Sequence, residues 1–199
     1  PFDFGASYSM TSNDMTHRGT NLERILYGIW YFLFEPMQLE GKFPYLQSAS
    51  IATDYLGKLV TESWFGGIFA CSMLTWGIFL LGRLKKNGVL SKELTWFCCV
   101  SLAAALVIGC VDANGAGILI RYGCDMSFGI FLAAVVAVLG AAKAARQKKV
   151  YGLYVAWLKA AIFFQAAVLF LILVNKDGSI NLQTGNTALY ETIRAALRF

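Results

Sequence analysis

The sequence predicts an all-α fold: a polytopic membrane helix bundle of about four transmembrane helices behind an extracytoplasmic N-terminal segment. The composition is the first observation behind this prediction. Of the 199 residues, 57% are hydrophobic and 15% are charged, with a mean hydropathy of +0.57. Soluble domains average about 45–50% apolar and about 25% charged residues, so both departures favour a membrane protein. Long uncharged runs and the placement of basic residues are the other two observations.

The basic residues predict the orientation of the bundle. The formal net charge is +5, and Lys and Arg cluster in residues 83–92 and 143–149. Short loops rich in Lys and Arg face the cytoplasm, so residues 1–62, 112–117 and 175–199 are expected outside. A nucleic-acid patch is the alternative use of basic loops. Because predicted spans flank both loops, we expect a lipid bilayer and no nucleic acid as partner.

Residues 1–62 are predicted to form an extracytoplasmic segment with short interfacial helices. Asn21 is a candidate N-cap, since a short polar side chain can accept an unpaired N–H of the first turn. The uncharged run 25–34 is too short to cross about 30 Å of hydrocarbon, and Pro36 ends it. Its Trp and Tyr residues favour a helix on or dipping into the membrane interface. A core helix of a small soluble region is the alternative.

Four apolar runs in residues 63–174 predict the transmembrane domain, and residues 175–199 are expected to be a tail that ends in a short amphipathic helix. The helix of the third run is expected to begin nearer residue 118. A run of about 20 apolar residues is long enough to cross the bilayer. The runs are residues 63–82, 94–111, 126–142 and 150–174.

Lys159 is the one charge inside the fourth run. Ionisable side chains within a membrane are costly and therefore point to function. A functional contact inside the bundle and a structural place near the inner face are equally open interpretations.

Arg121 and Asp125 lie at the mouth of the third run, four residues apart. On a helix this spacing puts them on one face, where they can pair. Arg121 and Asp125 are candidate substrate-binding residues, and Arg121 is suited to bind the phosphate or carboxylate of a substrate through its planar fork. A purely structural ion pair is the main alternative, and a catalytic base at Asp125 is a weaker one. The sequence identifies no catalytic residue.

A polar cluster near the N-terminus contains Asp14, His17 and Arg18. Asp14 and Arg18 are candidate substrate-binding residues, and an Asp–His pair can transfer a proton, although a solvated loop explains the same residues. His17 is the single histidine of the chain. No His-rich metal site is therefore possible within it, and no cofactor site is identifiable. Cys110 and Cys124 could form a disulfide near the outer face or remain two thiols.

Several motifs occur in a characteristic order: PFDFGASYSMTSNDMTHRG at residues 1–19, FPYLQS at 43–48, RYxxD at 121–125 and NTALYETIR at 186–194. Together they resemble the C-terminal part of large bacterial polytopic membrane proteins that are similar to GT-C-type glycosyltransferases. The resemblance implies transfer of a sugar from a polyprenyl-phosphate donor to a cell-envelope acceptor at the bacterial cytoplasmic membrane. It assigns no catalytic acid to a residue of this chain, so whether the chain itself is an enzyme stays open.

The resemblance also implies that other spans come before this chain. The chain begins at Pro1 rather than Met, and four spans with cytoplasmic basic loops put both of its ends outside. We therefore expect a preceding part that supplies the catalytic acid. A non-enzymatic membrane scaffold or transport component is the alternative function.

Overall fold

A computed structural model describes residues 19–49, 64–115, 118, 120–146, 148–175 and 182–197. The regular secondary structure of this part consists of helices, one short hairpin and an isolated β-bridge between Ala49 and Trp64. The helices are α1 (Leu22–Phe34), α2 (Ile68–Cys71), α3 (Leu81–Lys86), α4 (Lys92–Gly115), α5 (Ile120–Ala145), α6 (Tyr151–Val174), α7 (Leu182–Gly185) and α8 (Thr187–Ala196). A 3₁₀ helix (Met73–Leu80) joins α2 to α3, and strands β1 (Gln38–Leu39) and β2 (Leu46–Gln47) pair antiparallel.

Three helices, α4, α5 and α6, are long and apolar enough to cross a membrane. They contain the predicted runs 94–111 and 126–142 and all of the run 150–174 except Val150, which precedes α6. The structure confirms these runs as helices. The prediction of a loop at 112–117 is wrong at its start, because α4 continues through Gly115. The amphipathic tail helix is confirmed as α8.

The run 63–82, predicted as the first span, is not one continuous helix in its described part. α2 ends after one turn at Ser72, whose backbone is extended (φ −141°, ψ 111°). The 3₁₀ helix and α3 then follow. The sequence does not reveal such a break, because a continuous helix and a broken one can have the same run of uncharged residues. The fourth membrane crossing stays a prediction.

Helix α5 lies at the centre of the bundle. In the most apolar 18-residue stretch of α5, 39% of the residues are buried, whereas 17% are buried in the corresponding stretches of α4 and α6. A Cβ on Gly123 would lie 2.5 Å from the Trp64 ring, and one on Gly140 would lie 3.3 Å from Leu84. We call residues 64–86, which include the break at Ser72, the broken segment. It therefore follows α5 over about 17 residues, or about 25 Å of helix.

Helix α1 packs antiparallel to α4, with its start beside the end of α4. Asn21 caps it as predicted, since its side chain accepts a hydrogen bond from the backbone N–H of Arg24 (3.1 Å). Gly28 packs directly on Ala113, and α1 ends before Pro36. Its outward stripe is apolar and exposed: Leu22, Leu26, Trp30 and Phe34. This stripe suits lipid contact, while the interfacial position of α1 stays a prediction.

Replacing Gly129 with Ala is expected to destabilise the bundle. The new Cβ would lie 2.5 Å from the Ser101 carbonyl oxygen and 3.0 Å from Ala105, and such overpacking costs about 1–3 kcal/mol. Gly152→Ala in α6 is the control, because nothing lies within 4 Å of the added Cβ. Thermal unfolding in detergent should show a lower Tm for Gly129→Ala only. Equal Tm values would contradict the close contact between α4 and α5.

Candidate functional site

The side-chain hydrogen bonds that join described residues 90 or more apart in sequence lie at one end of the bundle. The basic residues within 83–92 and 143–149 define the other end, the basic end. At the opposite end, α4 and α6 finish and α5 begins, and the β-hairpin with α8 lies against the end of α6. We call this end the capped end.

The hairpin is closed on itself and fastened to α8. The backbone N–H of Glu40 donates to the carbonyl of Tyr45 (3.0 Å), which sits in the left-handed region at φ 66°. The Tyr45 hydroxyl donates to the Leu197 carbonyl just beyond α8 (2.5 Å). The Phe43 ring meets that of buried Tyr190 edge-on, with 5.9 Å between ring centroids. These contacts hold the hairpin and α8 together as one cap.

Asn175 connects this cap to the membrane helices. It directly follows α6 and is only 1% exposed. Its side-chain Nδ2 donates to the Leu46 carbonyl of β2, and its backbone N–H donates to the Ile172 carbonyl (3.2 Å). These two hydrogen bonds hold Asn175 in place, because a buried donor without a partner would lose its hydrogen bonds to water without replacement.

A cavity of about 530 Å³ lies between the hairpin and α7–α8. We call it the polar cavity, because hydrogen-bonding side chains dominate its wall. Arg194 carries a positive charge there and forms an ion pair with Glu191 (3.2 Å). The lining residues are Glu40, Phe43, Pro44, Leu46, Gln47, Asn175, Gln183, Tyr190 and Arg194.

A second polar network joins the start of α1 to the end of α4. Arg24 is only 6% exposed, and its Nη1 donates to the Asn114 carbonyl (2.6 Å). The Asn114 side chain accepts from the Asn21 backbone N–H (2.9 Å). Arg24 Nε has no hydrogen-bond partner within the described structure. A buried guanidinium is therefore held mainly by a backbone carbonyl at the capped end.

Two carboxylates lie at the same end of the bundle. Asp112 is half-buried on α4, and its Oδ2 finds no hydrogen-bond partner among the described residues. Asp125 is exposed on α5. Arg121 belongs to α5, but its side chain lies outside the described part of the structure. The predicted Arg121–Asp125 pair therefore stays a prediction.

The structure does not bring the other candidate residues that it describes into this region. Asp14, His17 and Arg18 lie outside the described residues. Lys159 is exposed on α6, so the structure does not place it inside the bundle. All five cysteines are thiols, which excludes the Cys110–Cys124 disulfide in this structure.

Sequence reasoning missed Arg24, Asn114 and Asn175. Arg24 carries a signal that could have been used: it shares a helix face with Gly28 and Tyr31, both of which are buried. A charge on a packing face of a short apolar helix indicates a specific partner. The partners themselves lie 90 or more residues away in sequence, and no local pattern identifies them.

Comparison with protein-family models, with curated proteins and with solved structures finds no match to this chain. Within the described ranges, no three His, Cys, Asp or Glu side chains come together as a group that could hold a metal ion.

Replacing Asn114 with Ala is expected to loosen the start of α1. The substitution leaves the Asn21 backbone N–H without its acceptor, a loss of about 0.5–1.5 kcal/mol. Hydrogen exchange should accelerate at the first turn of α1 and stay unchanged in α6. Asn87→Ala, at an exposed helix end on the basic side, is the control. Unchanged exchange at α1 in Asn114→Ala would show that this network does not hold the helix.

Proposed function

We propose that this chain is the C-terminal membrane portion of a GT-C-like glycosyltransferase that moves a sugar from a polyprenyl-phosphate donor to a cell-envelope acceptor. The polar cavity is the observation that supports the proposal best. It combines hydrogen-bonding side chains, aromatic surface and an arginine at one end of a set of apolar helices.

The lining of the polar cavity suits a sugar or a sugar phosphate. Glu40 supplies acceptors, while Gln47 and Gln183 supply both donors and acceptors. Sugar hydroxyls need both kinds of partner. The Phe43 and Tyr190 rings provide apolar surface beside them. Arg194 offers a fork of N–H donors, which matches the geometry of a phosphate group.

The proposed reaction places the donor at the outer leaflet. With the basic loops in the cytoplasm, the capped end faces the extracytoplasmic side and both ends of this chain lie there. The acceptor hydroxyl attacks the anomeric carbon, and the bond from that carbon to the phosphate oxygen breaks. The lipid phosphate leaves with the electron pair, and a base takes the hydroxyl proton. We assign that base to no residue of this chain.

Arg121 and Asp125 belong to the same proposal. They lie at the start of α5, which is at the capped end. Arg121 is proposed to contact the donor phosphate, with Asp125 as its neighbour. Asp14 and Arg18 remain candidate substrate contacts on the sequence pattern alone.

Cysteine labelling tests the orientation. A thiol introduced by Asn87→Cys at the basic end should react with an impermeant maleimide only after cells are opened. One introduced by Gln183→Cys at the capped end should react in intact cells. Peptide mass spectrometry separates both from the native thiols. The reverse result would invert the proposed topology.

Arg194→Met in the full-length protein is expected to lower sugar transfer from a polyprenyl-phosphate donor. Loss of a charged hydrogen bond of about 1.5–3 kcal/mol corresponds to a decrease of about tenfold to a hundredfold. Arg121→Ala, measured separately, should also lower transfer. Lys143→Met, exposed at the basic end, should not.

Two outcomes would contradict this function. Unchanged transfer by folded Arg194→Met would remove the polar cavity from the donor site. Failure of the wild-type protein to transfer any polyprenyl-linked sugar would favour a non-enzymatic scaffold or transport component.

A further inference from the structure

A second cleft lies between α2, the first half of α5 and the second half of α6. Its volume is about 250 Å³, and it is open on one side. The described residues that line it include no Asp, Glu, Lys, Arg or His. Leu169 on its wall is 57% exposed on α6, a helix that is mostly unburied and apolar. The open side of the cleft therefore lies on the apolar surface that would contact membrane lipid. We call it the lateral cleft.

Three side chains that line this cleft each contain a buried polar atom without a hydrogen-bond partner among the described residues: Trp64 Nε1, Ser72 Oγ and Gln165 Oε1. Trp64 is 5% exposed and Ser72 is 2% exposed. Leaving a buried polar atom unpaired costs about 1–3 kcal/mol. The described structure shows five such atoms in all, so three of five concentrated in one cleft point to a ligand with complementary groups.

The chemistry of the three atoms defines that ligand. The Trp64 indole is only a donor, so it needs an acceptor such as an ester carbonyl. Gln165 Oε1 is an acceptor and needs a donor such as a hydroxyl. The Ser72 hydroxyl can either donate or accept a hydrogen bond. A charged head is disfavoured, because no described side chain of opposite charge lines the cleft to offset its desolvation.

We propose that the lateral cleft binds an uncharged glycerolipid, a diacylglycerol. Its two ester carbonyls are acceptors, its single hydroxyl is a donor, and its chains are apolar. The cavity is too small for the whole lipid, so the glycerol head enters and the acyl chains remain in the bilayer on the open side. The lateral cleft shares no lining residue with the polar cavity, and this proposal does not depend on sugar transfer.

The test is retention of dioleoylglycerol by the full-length protein in phosphatidylcholine nanodiscs, read by native mass spectrometry. The wild-type protein should retain dioleoylglycerol in preference to dioleoyl phosphatidic acid, which carries a charge. Leu is close to Gln in size, and Gln165→Leu should retain about tenfold less dioleoylglycerol than the wild-type protein, as expected for one lost buried hydrogen bond. Trp64→Phe should also lower the retention of dioleoylglycerol. Trp30→Phe, on the exposed stripe of α1, is the matched control and should bind normally.

If the three polar atoms bind no ligand, the variants should behave differently. Gln165→Leu should then raise the Tm in the absence of lipid and leave the retention of dioleoylglycerol unchanged, which would overturn the proposal. Preferential retention of undecaprenol or phosphatidic acid would also overturn it.

Alkylation of Cys124 provides a measurement that needs no variant. This thiol is exposed and lines the lateral cleft. Dioleoylglycerol should slow its reaction with a membrane-permeant maleimide, while the exposed thiol of Cys99, outside the cleft lining, reacts at the same rate. Equal rates at Cys124 with and without dioleoylglycerol would contradict binding there.

Discussion

Close packing on the small residues of α5 is the constraint on which the other elements depend. Lipid tails are as apolar as Leu, so helices in a membrane associate through close van der Waals contact rather than through hydrophobic burial. Ala133, Ala134 and Ala137 are almost fully buried, and Gly129 touches the backbone of α4. With larger side chains there, α4 and the broken segment could not approach α5 from two sides.

The long helices could be predicted from the sequence because a membrane span depends on length and charge alone. The runs 94–111, 126–142 and 150–174 needed no knowledge of their neighbours. The break at Ser72 and the extension of α4 to Gly115 depend on contacts instead. Asp112 and Asn114 look like loop residues in isolation, but Asn114 is bonded to the start of α1.

The candidate site was only partly predictable for the same reason. Charges within apolar runs are visible in the sequence, and they drew attention to Arg121, Asp125 and Lys159. The polar cavity instead arises where the hairpin, the end of α6 and α8 meet. Leu46 and Asn175 are 129 residues apart, and their hydrogen bond brings these elements together. A pairing at that separation follows from the fold and leaves no periodic trace in the sequence.

The last turn of α6 lies against both proposed sites. Ile172 lines the lateral cleft, and Asn175 lines the polar cavity. The Asn175 backbone N–H also donates to the Ile172 carbonyl (3.2 Å). The Asn175 side chain is buried and donates to β2, so the end of α6 also contacts the hairpin. The two sites are thus joined by one continuous set of contacts, although they differ in the chemistry they accept.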